Sequence, residues 1–257
     1  MFLPIGDDNH DRNITPYINY LLIAINILAF VFWQDMGYND YVALAYSTVP
    51  AEILTGQDFA TGATYVPHPI TNEPVLIPGL QPTGINVYLT LITSMFMHGG
   101  WAHLGGNMLF LWIFGDNLED EMGHFSYLGF YLLCGVLAAL AHVASTVILG
   151  QDPLTPSLGA SGAISGVLGG YILQHPTRGV HIWMLFIIVS VPAFLAVGIW
   201  FVFQVVNGLG ALGSNELGGV AYAAHIGGFI FGLILVKFFA KRKVPERRPK
   251  VYRRFYN

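Results

Sequence analysis

Long uncharged stretches alternate with short polar ones along most of this chain. Six runs, at approximately 17–33, 101–118, 125–149, 159–175, 181–206 and 219–240, are apolar over about the 20 residues that a helix needs to cross a bilayer. Several of them contain Gly, Pro, Asn or His, which membrane helices accept where neighbouring helices satisfy the polar groups. The pattern predicts an all-α membrane protein, a single bundle of six transmembrane helices. A further apolar stretch, "NVYLTLITSMFMH" at 86–98, ends at Gly99-Gly100 and is too short to cross; its length predicts a helix lying in the interface. Residues 34–86 carry Pro50, Pro67, Pro69, Pro74, Pro78 and Pro82 and predict a long external connection, because that many prolines exclude a spanning helix. The expected organisation is a polar segment over 1–16, a membrane domain over 17–240 in which 34–98 is the external loop with the interfacial segment, and a basic tail over 241–257.

Composition agrees with the pattern. The chain is 54% hydrophobic and 10% charged, against roughly 25% charged in soluble domains, which excludes an ordinary soluble fold. Charge adds an orientation. Of 11 Lys and Arg residues, all but Arg12 and Arg178 lie at Lys237 or beyond. The positive-inside rule puts that tail in the cytoplasm, and six crossings then put the N-terminus there too. The connections this topology assigns outside contain no Lys or Arg, and Arg12 and Arg178 both fall inside. The tail reads as a topological anchor, or as a surface for anionic lipid head groups. No nucleic-acid partner is expected, and the oligomeric state is not encoded in these patterns. Cys134 is the sole cysteine and lies within a span, so no intramolecular disulfide forms. The polar opening "DDNHDRN" precedes a retained first helix rather than a cleavable signal.

Polar residues inside membrane spans are costly and mark functional positions. His103 and Asn107 are four apart at the start of the second run and share a helix face. Ser161 opens the fourth run, and His225 lies about six residues, roughly 9 Å, into the sixth. These three runs cross in the same direction, so their polar residues share the outer half of the bilayer. Gly162, Gly166 and Gly170 recur every four residues on the fourth run, as do Gly228 and Gly232 on the sixth. Such small-residue faces let membrane helices approach to backbone contact, which would carry His225 up to Ser161. A serine beside an imidazole is the minimal activated nucleophile. Asn107, His103 and the Ser161 amide are available as oxyanion donors. Taken singly, the Gly-rich run reads as packing and His142 as structural. His68, His98 and His103 lack the acidic or Cys partners that a metal site needs, so no metal and no cofactor is expected.

Four stretches together resemble the rhomboid intramembrane serine proteases: "HGGWAHLGGN" with His98, His103 and Asn107; "GDNLEDEMG" with Gly115, Glu119 and Gly123; "GASG" at 159–162; and "AHIGGFIFG" at 224–232. The resemblance covers roughly 86–235. It implies a six-helix rhomboid-like fold, Ser161 as nucleophile and His225 as general base with no acidic third member. It also implies His103, Asn107 and the Ser161 amide as oxyanion stabilisers, and a movable fifth helix that admits substrate from lipid. The implied substrates are transmembrane or membrane-proximal segments of other proteins, with a small residue before the cut. Two positions depart from the family pattern. Ser165 stands where many members carry an aromatic residue against the base, leaving Tyr222 or another ring for that place, and residues 34–100 lack the Trp-Arg pair common in the first loop. The alternative to a protease is an inactive rhomboid-like protein that binds client helices. An integral, multi-pass location in a bacterial cytoplasmic membrane is the expected setting.

Overall fold

The computed structural model describes residues 2–67, 73–211 and 222–240. The basic tail at 241–257, His68 and the first residues of the sixth apolar run lie outside the described residues. Strand β1 (Phe2–Asp7) leads to α1 (Tyr17–Leu28), which continues through a π-helical turn over Ala29–Trp33. The Pro-rich connection is organised rather than open: α2 (Asp40–Ala45), α3 (Pro50–Thr55) and a hairpin of β2 (Thr64–Pro67) with β3 (Pro74–Ile77) precede the short helix α4 (Thr90–Thr93). Buried Glu52 accepts the Phe59 amide, and Asp58 accepts that of Thr83, tying the loop to itself. Then follow α5 (Trp101–Met122), α6 (His124–Leu149), α7 (Ser161–Gln174), a hairpin of β4 (Gly179–Met184) and β5 (Ile187–Pro192), α8 (Ala193–Ala211) and α9 (Tyr222–Phe239).

Among the described residues three helices, α6, α8 and α9, are long and apolar enough to cross a membrane, and two shorter apolar helical stretches lie at Tyr17–Trp33 and Val87–Phe96. The other two expected spans differ for physical reasons. Helix α5 ends in four carboxylates, Asp116, Glu119, Asp120 and Glu121, all buried. Helix α7 has 14 residues, about 21 Å at 1.5 Å per residue. The fifth run was expected to be helical from 181, but 181–192 is sheet. Its β-branched string Ile187, Ile188, Val189 and Val191 suits a strand, a short apolar run being ambiguous between the two periods. Pro192 then stands just before the first residue of α8, where its missing N–H costs little. The all-α expectation therefore needs a three-stranded antiparallel sheet added to it, ordered β1-β4-β5, in which the N-terminal segment pairs with the hairpin leading into α8.

The acidic segment "GDNLEDEMG", which the second apolar run covers only as far as Leu118, is the last part of α5 and is a packing centre. Glu119 accepts the Ile18 and Asn19 amides at 2.9 and 2.7 Å, satisfying first-turn donors of α1 that have no intrahelical partner. Asp120 accepts the amides of Asn13 and Ile14, and Asp116 pairs with Arg12. Gly115 is required by closeness: a Cβ there would collide with the Asn19 amide and the Tyr127 hydroxyl, which are hydrogen-bonded to each other at 2.8 Å. Gly123, at φ 77 and ψ 162, makes the turn from α5 to α6 in a region open only to glycine. Asp7 of β1 accepts from Tyr171 of α7 and Asn117 of α5, and burial holds its carboxyl above the usual carboxylate range.

Candidate active site

Ser161 is the first residue of α7. It is preceded by Gly159 at φ +115 and Ala160, a bend that no L side chain adopts comfortably. The bend is held by the Gly159 amide donating to the Ser94 carbonyl at 2.8 Å and by a bridge between Thr48 and Ser157. As a first-turn residue Ser161 has a backbone N–H with no helical acceptor.

Helices α7 and α9 meet backbone to backbone. A Cβ on Gly228 would lie against the Gly162 carbonyl, one on Gly232 against the Gly166 carbonyl, and one on Gly169 against the Phe229 carbonyl. The missing side chains of Gly162 and Gly166 themselves face Ala138 and Cys134 of α6, and that of Gly170 faces Leu118 and Phe130 as well as Val236. The small-residue stripe on α7 thus serves α5 and α6 as well as α9, and Gly169, absent from the every-fourth pattern, takes part in the closest approach.

At the top of this contact His225 Nε2 lies 2.7 Å from Ser161 Oγ, across 64 residues of sequence. A hydroxyl so placed can pass its proton to a neutral imidazole. The other ring nitrogen, Nδ1, lies 2.8 Å from Gln204 Oε1 of α8. Trp200 of α8 flanks the ring at 6.3 Å between centroids, and Tyr222 stands edge-on at 6.5 Å. Ser165 is fully buried and turns away, its hydroxyl donating to the Ser161 carbonyl at 2.6 Å.

His103 and Asn107 occupy one face of α5. The Gly99 amide donates to His103 Nδ1 at 3.2 Å, so a neutral ring carries its proton on Nε2. A Cβ on Gly159 would sit 2.8 Å from that Nε2 and 3.6 Å from Ser161 Oγ, which puts the ring edge and the hydroxyl beside the same glycine. Asn107 is buried, and its Nδ2 has no partner among the described residues; a buried amide donor left free is unusual. His98 packs edge-on against His103 at 5.2 Å, while the Gln34 amide holds the His98 backbone by two bonds of 2.8 and 2.9 Å. His142 is buried with Nε2 unpartnered among the described residues. A small cavity beside Ser161 is lined by Gly135, Ala138, Gly159, Gly162 and Ala224, with Ser94 as a polar wall. Among the described residues no cluster of His, Cys, Asp and Glu has metal-ligating geometry.

Two residues of this site escaped sequence reasoning. Gln204 is a lone polar residue in "IWFVFQVV", and the rule that picked out His225, that polarity within a span is costly, would have found it too. Gln34 sits at the end of the first apolar run, where a polar residue reads as the membrane boundary.

The sequence matches the Rhomboid domain family over residues 86–242. Among curated proteins it is 30% identical over 173 residues to Rhomboid protein 1, mitochondrial, of Saccharomyces cerevisiae, covering 67% of this chain and 48% of that protein. It is 28% identical over 192 residues to the presenilin-associated rhomboid-like protein, mitochondrial, of Homo sapiens, covering 68% and 47%. It is 31% identical over 153 residues to Rhomboid-like protein 11, chloroplastic, of Arabidopsis thaliana, covering 58% and 52%. The chain spans about half the length of these relatives. With the family match running from residue 86 through α9, over more than half of its residues, this chain belongs to the rhomboid family.

Proposed function

We propose that the chain is an intramembrane serine endopeptidase that cleaves transmembrane or membrane-proximal segments of other proteins. Ser161 Oγ attacks the scissile carbonyl carbon while His225 Nε2 takes the hydroxyl proton. The resulting oxyanion is met by the Ser161 N–H, the Asn107 amide and the His103 Nε2–H. The tetrahedral intermediate collapses as His225 returns the proton to the leaving amine. Water, deprotonated by the same ring, then releases the acyl group and restores the serine. The observation that carries this reading is the 2.7 Å hydrogen bond between Ser161 and His225, and the free Asn107 donor supports it. The small cavity beside Ser161, whose lining is about half glycine and alanine, fits a small residue before the cut. For the topology we propose six crossings, with both termini on the side where positive charge is retained, the cytoplasmic side of a bacterial membrane.

The test is cleavage of a reporter transmembrane substrate in proteoliposomes by wild type, Ser161→Ala and His225→Ala. Both variants should lose cleavage, and a serine-directed fluorophosphonate should label wild type but not Ser161→Ala. If both variants cleave like wild type, the assignment is wrong. If wild type binds the substrate helix without cutting it, the chain is a client-binding member of the family instead.

A further inference from the structure

We propose that Gln204 is a positioning residue for the dyad, and that through it the alignment of His225 depends on the seating of α8. This rests on the reading of Ser161 and His225 as nucleophile and base. A neutral imidazole carries one proton. If Nε2 is to accept from Ser161, that proton must sit on Nδ1, and in an apolar site it needs an acceptor. Gln204 Oε1 stands 2.8 Å from Nδ1, and an amide oxygen can only accept. The Nδ1–H therefore donates to Gln204, leaving the Nε2 lone pair directed at Ser161 Oγ 2.7 Å away. The three side chains form a relay with the connectivity of a Ser-His-Asp triad, in which a neutral amide replaces the carboxylate and no charge is buried in hydrocarbon.

The same helix supplies the ring's wall. Trp200 is four residues before Gln204, hence on the same face of α8, and its ring touches both His225 and Phe229. Helix α7 offers nothing equivalent, because Ser165 is turned to the Ser161 carbonyl. So the dyad residues come from α7 and α9, while what orients the base comes from α8. These helices differ in freedom. Between α7 and α9, Gly228 lies on Gly162 and Gly232 on Gly166 without space for a methyl group. Helix α8 is the least buried of the three long apolar helices, with Leu195, Ile199, Val202 and Phe203 on its outer surface. A tilt of α8 leaves the α7–α9 contact intact but withdraws the acceptor from Nδ1, and its return restores the productive tautomer.

The experiment compares full-length wild type, Gln204→Leu, Gln204→Met and Gln204→Glu in proteoliposomes with the reporter substrate. Leu and Met remove the acceptor, and kcat should fall about tenfold to a hundredfold, by analogy with a metal-binding His that loses the partner orienting its ring, with KM and thermal midpoint unchanged. Glu retains an acceptor at the same reach and should recover most of the lost kcat. Nitrogen-15 spectra of labelled histidine should show His225 protonated at Nδ1 in wild type and in Glu, and a mixed tautomer in Leu and Met. Wild-type kcat in both Leu and Met overturns the proposal, as does a Glu variant no better than Leu, since the side chain would then act by packing alone. Should Leu unfold, Met and the tautomer spectrum decide. If wild type itself does not cleave, the protease reading falls, and the tautomer spectra still report whether Gln204 orients His225.

Discussion

The contact of α9 on α7 is tight enough that one methyl group should be felt at the dyad two turns away. In Gly232→Ala the new Cβ would lie 2.7 Å from both the carbonyl carbon and Cα of Gly166, and nearer still to its oxygen. Carbon atoms pack at roughly 3.5–4.0 Å, so the two backbones must part by about 1 Å. Backbone carbonyls cannot swing aside as a flexible side chain can. His225 is seven residues from Gly232 on the same helix, about 10 Å along its axis, so a rigid displacement of α9 carries the imidazole with it. Added to the present 2.7 Å, that displacement puts Nε2 beyond hydrogen-bond reach of Ser161 Oγ. The expected loss in cleavage rate is about 10²-fold, as for an ångström-scale misplacement of a reacting group. Overpacking should also cost about 1–3 kcal/mol of stability. Cleavage of the reporter substrate, fluorophosphonate labelling and thermal unfolding should be followed together. Gly198→Ala is the control, because a Cβ there meets nothing within 4 Å, and it should match wild type in all three. A Gly232→Ala protein that cleaves, labels and melts like wild type would refute the reasoning, showing that the helices can part without moving the base.

Three further outcomes follow from other parts of the structure. Asn107→Ala removes the free buried donor and should lower kcat by about 10²–10³ with little change in KM; a purely KM effect would mean that the amide contacts ground-state substrate instead. Gln34→Leu leaves the buried His98 N–H and C=O without their partners, each worth about 1–3 kcal/mol, so its thermal midpoint should fall clearly, and an unchanged midpoint would show that the clamp is dispensable. Burial raises the Asp7 carboxyl, so the folded state binds its proton more tightly than the unfolded chain does. Its contribution is then fully present below the unfolded pKa of about 4 and declines as pH rises through the folded value. Asp7→Asn should therefore gain midpoint relative to wild type between pH 4 and pH 7, and a constant gap across that range contradicts the assignment.

Much of this protein is local and could be read along the chain. Runs of apolar residues must be buried in protein or lipid wherever they fall, so the helices α1, α5, α6, α7 and α9 follow from hydropathy within a few residues. Polar groups inside those runs are expensive wherever they point, so Ser161, His225, His103 and Asn107 stood out before any contact was known. Other features depended on which segments came to lie together. The run at 181–192 is as apolar as a helix, and only pairing with β1 across most of the chain decides that it is sheet. The burial of the carboxylates of "GDNLEDEMG" could not be read locally, because nothing nearby in sequence neutralises them; their partners are amides and an arginine about 100 residues earlier. Ser165 left open what flanks the His225 ring, and the groups found there, Gln204 and Trp200, come from a helix whose place beside α9 no periodicity reveals. Hydrophobicity and residue spacing are properties of a segment, whereas hydrogen-bond partnership and backbone contact are properties of pairs, and those pairs exist only in the folded chain.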